Sequence, residues 1–149
     1  MTSKQLDAAL TRTFEAARWA DSHGQPTCPK CFDAEDVRVV TQPSRPQVCR
    51  GAVPSYHCTC CLRYFASTYD TPLQQTKIPL ACWACVVLAG RPGSLYEASQ
   101  AWGITRKALY AMLRKLEPDH PFIGRWRQAL KRAGITAEQC HRHAVKEGA

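Results

Sequence analysis

The sequence contains no apolar run near the roughly 18 residues that a membrane-spanning helix needs. Its opening, Met1-Thr2-Ser3-Lys4-Gln5-Leu6-Asp7, has no apolar signal core, so a cytoplasmic location is expected. No Gly-rich phosphate loop, Ser-His-Asp set or open metal motif is visible, and an enzyme is not expected. Internal repeats and low-complexity tracts are also missing. At 149 residues the chain is too short for a barrel of about 250 residues. It is nevertheless 45% apolar, which is enough for a packed core. Acidic residues are few: 12 Asp and Glu face 20 Lys and Arg, a formal charge of +8.

The positive charge is unevenly placed. Residues 1–24 are balanced, residues 25–85 carry six basic and four acidic groups, and residues 86–149 carry eleven and five. A basic C-terminal half is suited to a polyanion, of which nucleic acid is the commonest. A solvated, solubilising surface is the alternative.

Hydrophobic periodicity divides the chain into an N-terminal helix (1–24), a Pro-rich segment with short strands (25–72) and a helical region (73–149). Leu6, Ala9, Leu10, Thr13, Phe14 and Ala17 form one stripe, with Ser3 as the expected N-cap and Trp19 extending the stripe onto the next segment. Left exposed, this stripe would support a homodimer, which suits a palindromic site. Val37–Val40 and Tyr64–Tyr69 read as strands, and Thr41–Pro46 reads as a turn or loop. Residues 77–90 read as a buried helix entered at Pro79 and left at Gly90. Helical patterns follow over 94–116, interrupted by Gly103, and over 121–146, interrupted by Gly134. The expected class is α+β.

Nine cysteines, an odd number, argue against a disulfide framework and for metal ligands. Cys28-Pro29-Lys30-Cys31 and Cys58-Thr59-Cys60-Cys61 each place two thiolates on one turn of chain. Four thiolates make the tetrahedron of structural Zn²⁺ with no open position. The expected ligands of one ion are Cys28, Cys31, Cys58 and Cys61. Cys60 can substitute for either member of the second pair, and His57 can compete. Lys30 and Arg63 at the knuckles offset the site's negative charge, and Phe32, Tyr56 and Phe65 are expected to pack around it. Cys49 reads as a strand residue. Cys82 and Cys85, one helical turn apart in an apolar segment, read as core packing. Cys140-His141-Arg142-His143 reads as part of a frayed, exposed terminal helix.

Residues Leu95 to Leu113 fit the spacing of a helix-turn-helix. Ala98 and Trp102 face inward from the first helix, Ser99 permits close approach, Gly103 makes the turn and Ile104 seals it. Leu109 and Met112 face inward from the second helix. Its outward face carries Thr105, Arg106, Lys107, Tyr110 and Arg114, with Thr105 as cap. Arg106 and Lys107 are placed to reach base edges or phosphates of double-stranded DNA. Arg127 and Arg132, near Trp126, are expected to extend the phosphate-contacting surface.

The ordered set resembles the N-terminal DNA-binding region of insertion-sequence transposases of the zinc-ribbon-plus-helix-turn-helix kind. The likeness runs over roughly residues 26–116. It rests on the two cysteine pairs, Tyr64-Phe65, the Thr-containing link over 67–73, Lys77-Ile78-Pro79-Leu80-Ala81-Cys82-Trp83, and Leu95 to Leu113. Small uncharacterised bacterial proteins built from the same pieces look similar. The resemblance implies a zinc ribbon followed by a DNA-reading helix. After the helical pair only Glu117, Asp119, Glu138 and Glu147 remain, too few for that family's three-carboxylate catalytic domain. The expectation is therefore a sequence-specific DNA-binding regulator derived from such a module. The alternative is a zinc-ribbon adaptor that binds another protein, such as polymerase or a phage or host factor.

Overall fold

Thr2 starts the first helix, not Ser3. Its Oγ1 accepts the Gln5 N–H at 3.1 Å, and the Gln5 Oε1 accepts the Thr2 N–H at 2.8 Å. That reciprocal box needs an amide or carboxylate three residues on. Thr2 has Gln5 there, whereas Ser3 has Leu6. The computed structural model describes residues 1–40 and 53–148. In chain order it contains α1 (Ser3–Arg18), a short 3₁₀ turn (Ala20–Ser22), β1 (Val37–Val39), β2 (Ser55–Cys58) and β3 (Tyr64–Ala66). Then come α2 (Leu80–Ala89), α3 (Leu95–Trp102), α4 (Arg106–Leu116), α5 (Pro121–Arg132) and α6 (Ala137–Gly148). The class is α+β: six α-helices and one antiparallel sheet in the order β1-β2-β3 among the described residues.

The stripe of α1 is not free for a partner. Leu6, Ala9, Leu10, Phe14 and Ala17 are buried in the helical core, where α1 packs on α5 and α2. Phe14 meets Phe122 and Trp126 edge-on at 4.9 and 5.3 Å, and the Trp126 Nε1–H donates to Thr13 Oγ1 at 3.2 Å. An amphipathic stripe looks the same in sequence whether its own chain or a second copy covers it. Here α5, more than a hundred residues away, supplies the cover, so the expected dimer surface is lost.

The central helix is α2, apolar on nearly all sides, with Leu80, Ala81, Cys82, Trp83, Ala84, Val86 and Val87 buried. Pro79 is its N-cap, and Gly90, at φ 84°, ends it. Cys82 is buried and Cys85 half-buried in this core, as packing residues.

The last helix corrects the frayed-terminus expectation. α6 packs against α2 and α3, with Cys140, His143 and Ala144 buried. His143 Nε2 lies 2.7 Å from Asp7 Oδ1, and the Trp102 Nε1–H donates to His141 Nδ1 at 3.0 Å. The polar sequence hid this face because its buried members are small or hydrogen-bonded, not aliphatic.

The sheet pairs Val37 with Cys58, Arg38 with His57 and Val39 with Tyr56. Across the other edge Ser55 pairs with Ala66, Tyr56 with Phe65 and His57 with Tyr64. β3 stops at Ala66, short of Tyr69, because the Tyr69 N–H turns back onto the Ala66 carbonyl at 3.0 Å. The loop expected over 41–46 and the strand position expected for Cys49 lie outside the described residues. Tyr56, Phe65, Cys28 and Cys58 form a second small core, closed by Trp19 from the end of α1. Trp19 lies edge-on to Tyr56 and Phe65 at 6.2 and 6.3 Å. Phe32, expected in this core, is 81% exposed.

Glu15 joins the two cores. Its carboxylate accepts the Trp19 Nε1–H at 2.6 Å, the Tyr56 hydroxyl at 3.0 Å and the Ser67 hydroxyl. The Arg18 Nε–H donates to the Ser67 carbonyl at 3.0 Å.

Candidate metal centre and basic helix face

Two tight turns present the cysteines. In the first, the Lys30 and Cys31 N–H groups both donate to Cys28 Sγ at 3.4 Å. The Cys28 N–H closes the turn on the Asp33 carbonyl at 3.0 Å, and in the second turn the Cys58 N–H closes on the Arg63 carbonyl at 2.9 Å. The sheet then brings the turns together. The Sγ atoms of Cys28, Cys31, Cys58 and Cys61 all lie within 4.8 Å of one another. Cys28 and Cys61 are 3.6 Å apart, and Cys58 and Cys31 are 3.9 Å apart. No S–S bond joins them.

The candidate substitutes for a ligand do not enter this cluster. Cys60 is exposed, and His57 stacks on Tyr64 at 4.2 Å between centroids. In β2 the alternation that turns Tyr56 and Cys58 inward necessarily turns His57 outward.

Three of the thiols have shifted acidities. Burial pushes Cys28 up, but the backbone N–H groups of Cys31 and Lys30 and the neighbouring thiols outweigh it and bring it to about 7. Burial raises Cys31, helped by the three thiols around it and by the charge on Cys28. Cys61 also rises: the Arg63 backbone N–H lowers it, but burial and the thiols of Cys28 and Cys58 prevail. A positive ion among thiolates this close would offset their mutual repulsion. The four cysteines can hold a metal ion.

The second feature is the hairpin of α3 and α4. Ser94 caps α3 by accepting the Glu97 N–H at 3.2 Å, and Gly103 leaves α3 at φ 66°, where an L side chain would be strained. Thr105 caps α4 by accepting the Ala108 N–H at 3.0 Å. Ala98, Ser99, Trp102, Leu109 and Met112 are buried between the helices and the core. Arg106, Lys107, Tyr110 and Arg114 are exposed on the opposite face of α4. Tyr96 stands 60% exposed, with the Arg106 guanidinium 5.9 Å from its ring centre. Its signal was available: a large aromatic at the outward second position of α3.

On α5, Arg132 is exposed, but Arg127 is not a free surface cation. Its Nε–H donates to the Val87 carbonyl at 2.8 Å, joining α5 to the C-terminal turn of α2. Truncation to Ala leaves an orphan carbonyl at a helix end and removes packed methylenes. Arg127→Ala is therefore expected to destabilise the fold by about 1–2 kcal/mol, readable as a lower urea midpoint. An unchanged midpoint would show that the bond carries no weight.

No protein-family model, curated protein or solved structure matches the chain. Among the described residues, no helix is long and apolar enough to cross a membrane.

Proposed function

We propose that the protein binds double-stranded DNA sequence-specifically as a transcriptional regulator, with one structural Zn²⁺ holding a ribbon beside a helix-turn-helix formed by α3 and α4. The observation that carries this reading is the outward face of α4. A cap residue, two cations in the first turn, a tyrosine and a further arginine line one side of a helix whose other side is anchored by buried Leu109 and Met112. A recognition helix needs that division: one rigidly seated face, and one face able to enter a major groove. The basic C-terminal half and the transposase-like order of motifs support the same reading.

Zinc is the favoured ion. A tetrahedron with metal–sulfur bonds of about 2.3 Å has sulfurs about 3.8 Å apart, and the 3.6 and 3.9 Å separations bracket that spacing. Four thiolates leave no position for a water or substrate, so the ion's role is to hold structure. The chemistry supplied by the chain is recognition: Arg106 and Lys107 toward base edges, and Thr105, Tyr110, Arg114 and Arg132 toward the backbone.

Fluorescence anisotropy with random and selected duplexes at several salt concentrations tests the proposal. Binding should weaken steeply with salt. Arg106→Ala should cost about 1–3 kcal/mol on the preferred site and flatten the preference among sequences. Arg132→Ala should weaken all duplexes alike and reduce the salt slope by about one unit. The adaptor reading has an observation of its own, the exposed Phe32 and Leu62 at the cysteine turns. It takes first place if Arg106→Ala and Lys107→Ala leave affinity and selectivity untouched in a folded protein.

A further inference from the structure

The first residue of α4 is an arginine whose partner stands on the other helix of the hairpin. The Arg106 guanidinium lies 5.9 Å from the centre of the Tyr96 ring, within the range over which a ring face attracts a cation. Among the described residues, Arg106 is in no ion pair and its side chain makes no hydrogen bond. Glu97, exposed and next to Tyr96 on α3, is the acidic group that would compete for this cation, and among the described residues no ion pair joins them. The ring's own base is fixed. Ser94 caps α3, and Ala98, Ser99 and Trp102 are buried on its inner side. Tyrosine has few rotatable bonds, so little freedom is lost in holding its ring out from that helix. An exposed arginine is a long, flexible chain, and it has to be ordered before its planar fork can meet a base.

The chemistry of the partner decides what the contact is for. A carboxylate would offset the guanidinium's charge and occupy its N–H donors. An aromatic ring holds the guanidinium by its face and leaves the charge and the in-plane donors free. Those donors are what the paired acceptors of a guanine require. We propose that Tyr96 is a positioning residue: it orients Arg106 for reading a base, and so sets sequence preference from α3 without itself touching the duplex. This role rests on the DNA reading of α4 and adds to it the part played by the first helix of the hairpin.

Anisotropy titrations of the full zinc-loaded chain test it, using a fluorescent duplex selected by the wild type and competed with unlabelled single-base variants of that duplex. Tyr96→Leu should bind the selected duplex about two- to thirty-fold more weakly, the span of a ring–cation contact from exposed to desolvated. It should also lose discrimination at the base that Arg106→Ala affects, with the salt slope unchanged because no phosphate contact goes. Tyr96→Phe, which keeps the ring and removes the hydroxyl, should bind and discriminate as wild type. In an Arg106→Ala chain, Tyr96→Leu should change neither affinity nor preference further, whereas a merely structural effect would persist in that background. Wild-type discrimination in Tyr96→Leu overturns the proposal. So does a loss in Tyr96→Phe, which would place the hydroxyl on the duplex, or a loss from Tyr96→Leu that simply adds to that of Arg106→Ala. Each of these leaves the DNA reading standing. A wild-type chain that binds no duplex, or an Arg106→Ala chain that binds and discriminates as wild type, overturns the role of α4 and that of Tyr96 together.

Discussion

Cys28→Ser and Cys61→Ser should each yield protein without stoichiometric metal and with a disordered sheet, while Cys60→Ser and Cys82→Ser keep both. The sheet has three strands of three or four residues, and its own core is little more than Trp19, Tyr56 and Phe65 beside the cysteines. That buries too little apolar surface to offset the entropy of ordering the two turns. A structural zinc ion contributes on the order of 10 kcal/mol to small metal-stapled folds, so an ion held by the four cysteines would decide whether the sheet is ordered. The metal should be lost as pH falls, because protons compete for the thiolates. Cys28, at about 7 before any cation binds, gives up its proton first as pH rises, whereas Cys31 and Cys61 lie above the usual thiol range and need the ion to ionise. Elemental analysis and thermal unfolding with and without chelator read the outcome. Zinc retained in Cys61→Ser but lost in Cys60→Ser would move the ligand set by one residue. Purified wild type without zinc would refute the choice of ion.

Spacing made the cysteine cluster legible because two residues between thiols is a constraint that any fold must meet locally. The helical hairpin was legible for the same reason: Thr105, Gly103 and the inward Ala98, Trp102, Leu109 and Met112 act within twenty residues of one another. Long-range partnerships were not legible. Nothing local to α1 says that Phe14 faces Phe122, and nothing local to α6 says that Asp7 waits for His143. Nor does anything local to Arg127 say that its Nε–H donates to the Val87 carbonyl, forty residues away. The exposure of Phe32 escaped for a related reason. An aromatic after a cysteine pair normally signals burial, and the left-handed backbone that swings it outward has no sequence mark unless glycine stands there.

The join between helices and sheet was the least visible feature, and it gives the second large effect. Glu15→Ala should destabilise the protein by about 2–4 kcal/mol, since it strips the partner from the Trp19 N–H and the Tyr56 hydroxyl and leaves the Ser67 hydroxyl only the Pro54 carbonyl at 3.4 Å. Glu15→Gln should cost much less, because the amide oxygen still accepts and the hydroxyls can rotate to receive its N–H groups. Burial raises the Glu15 carboxyl above its ordinary 4.5, despite hydrogen bonds from Ser67, Tyr56 and Trp19 and the nearby Arg18 that lower it. The sign follows from proton binding: the folded state holds this proton more tightly than the unfolded chain does. Its contribution is full below 4.5 and disappears as pH rises through the elevated folded value. Stability measured by urea unfolding across mildly acidic pH should therefore lose a downward component with rising pH in Glu15→Gln relative to wild type. In Glu15→Ala the sheet and the helical body lose a polar strut, so metal release from the cysteine turns and helical dichroism should cease to change together on heating. Coincident transitions with wild-type stability would mean that the packing of Trp19 and the Arg18–Ser67 bond suffice to join the two cores.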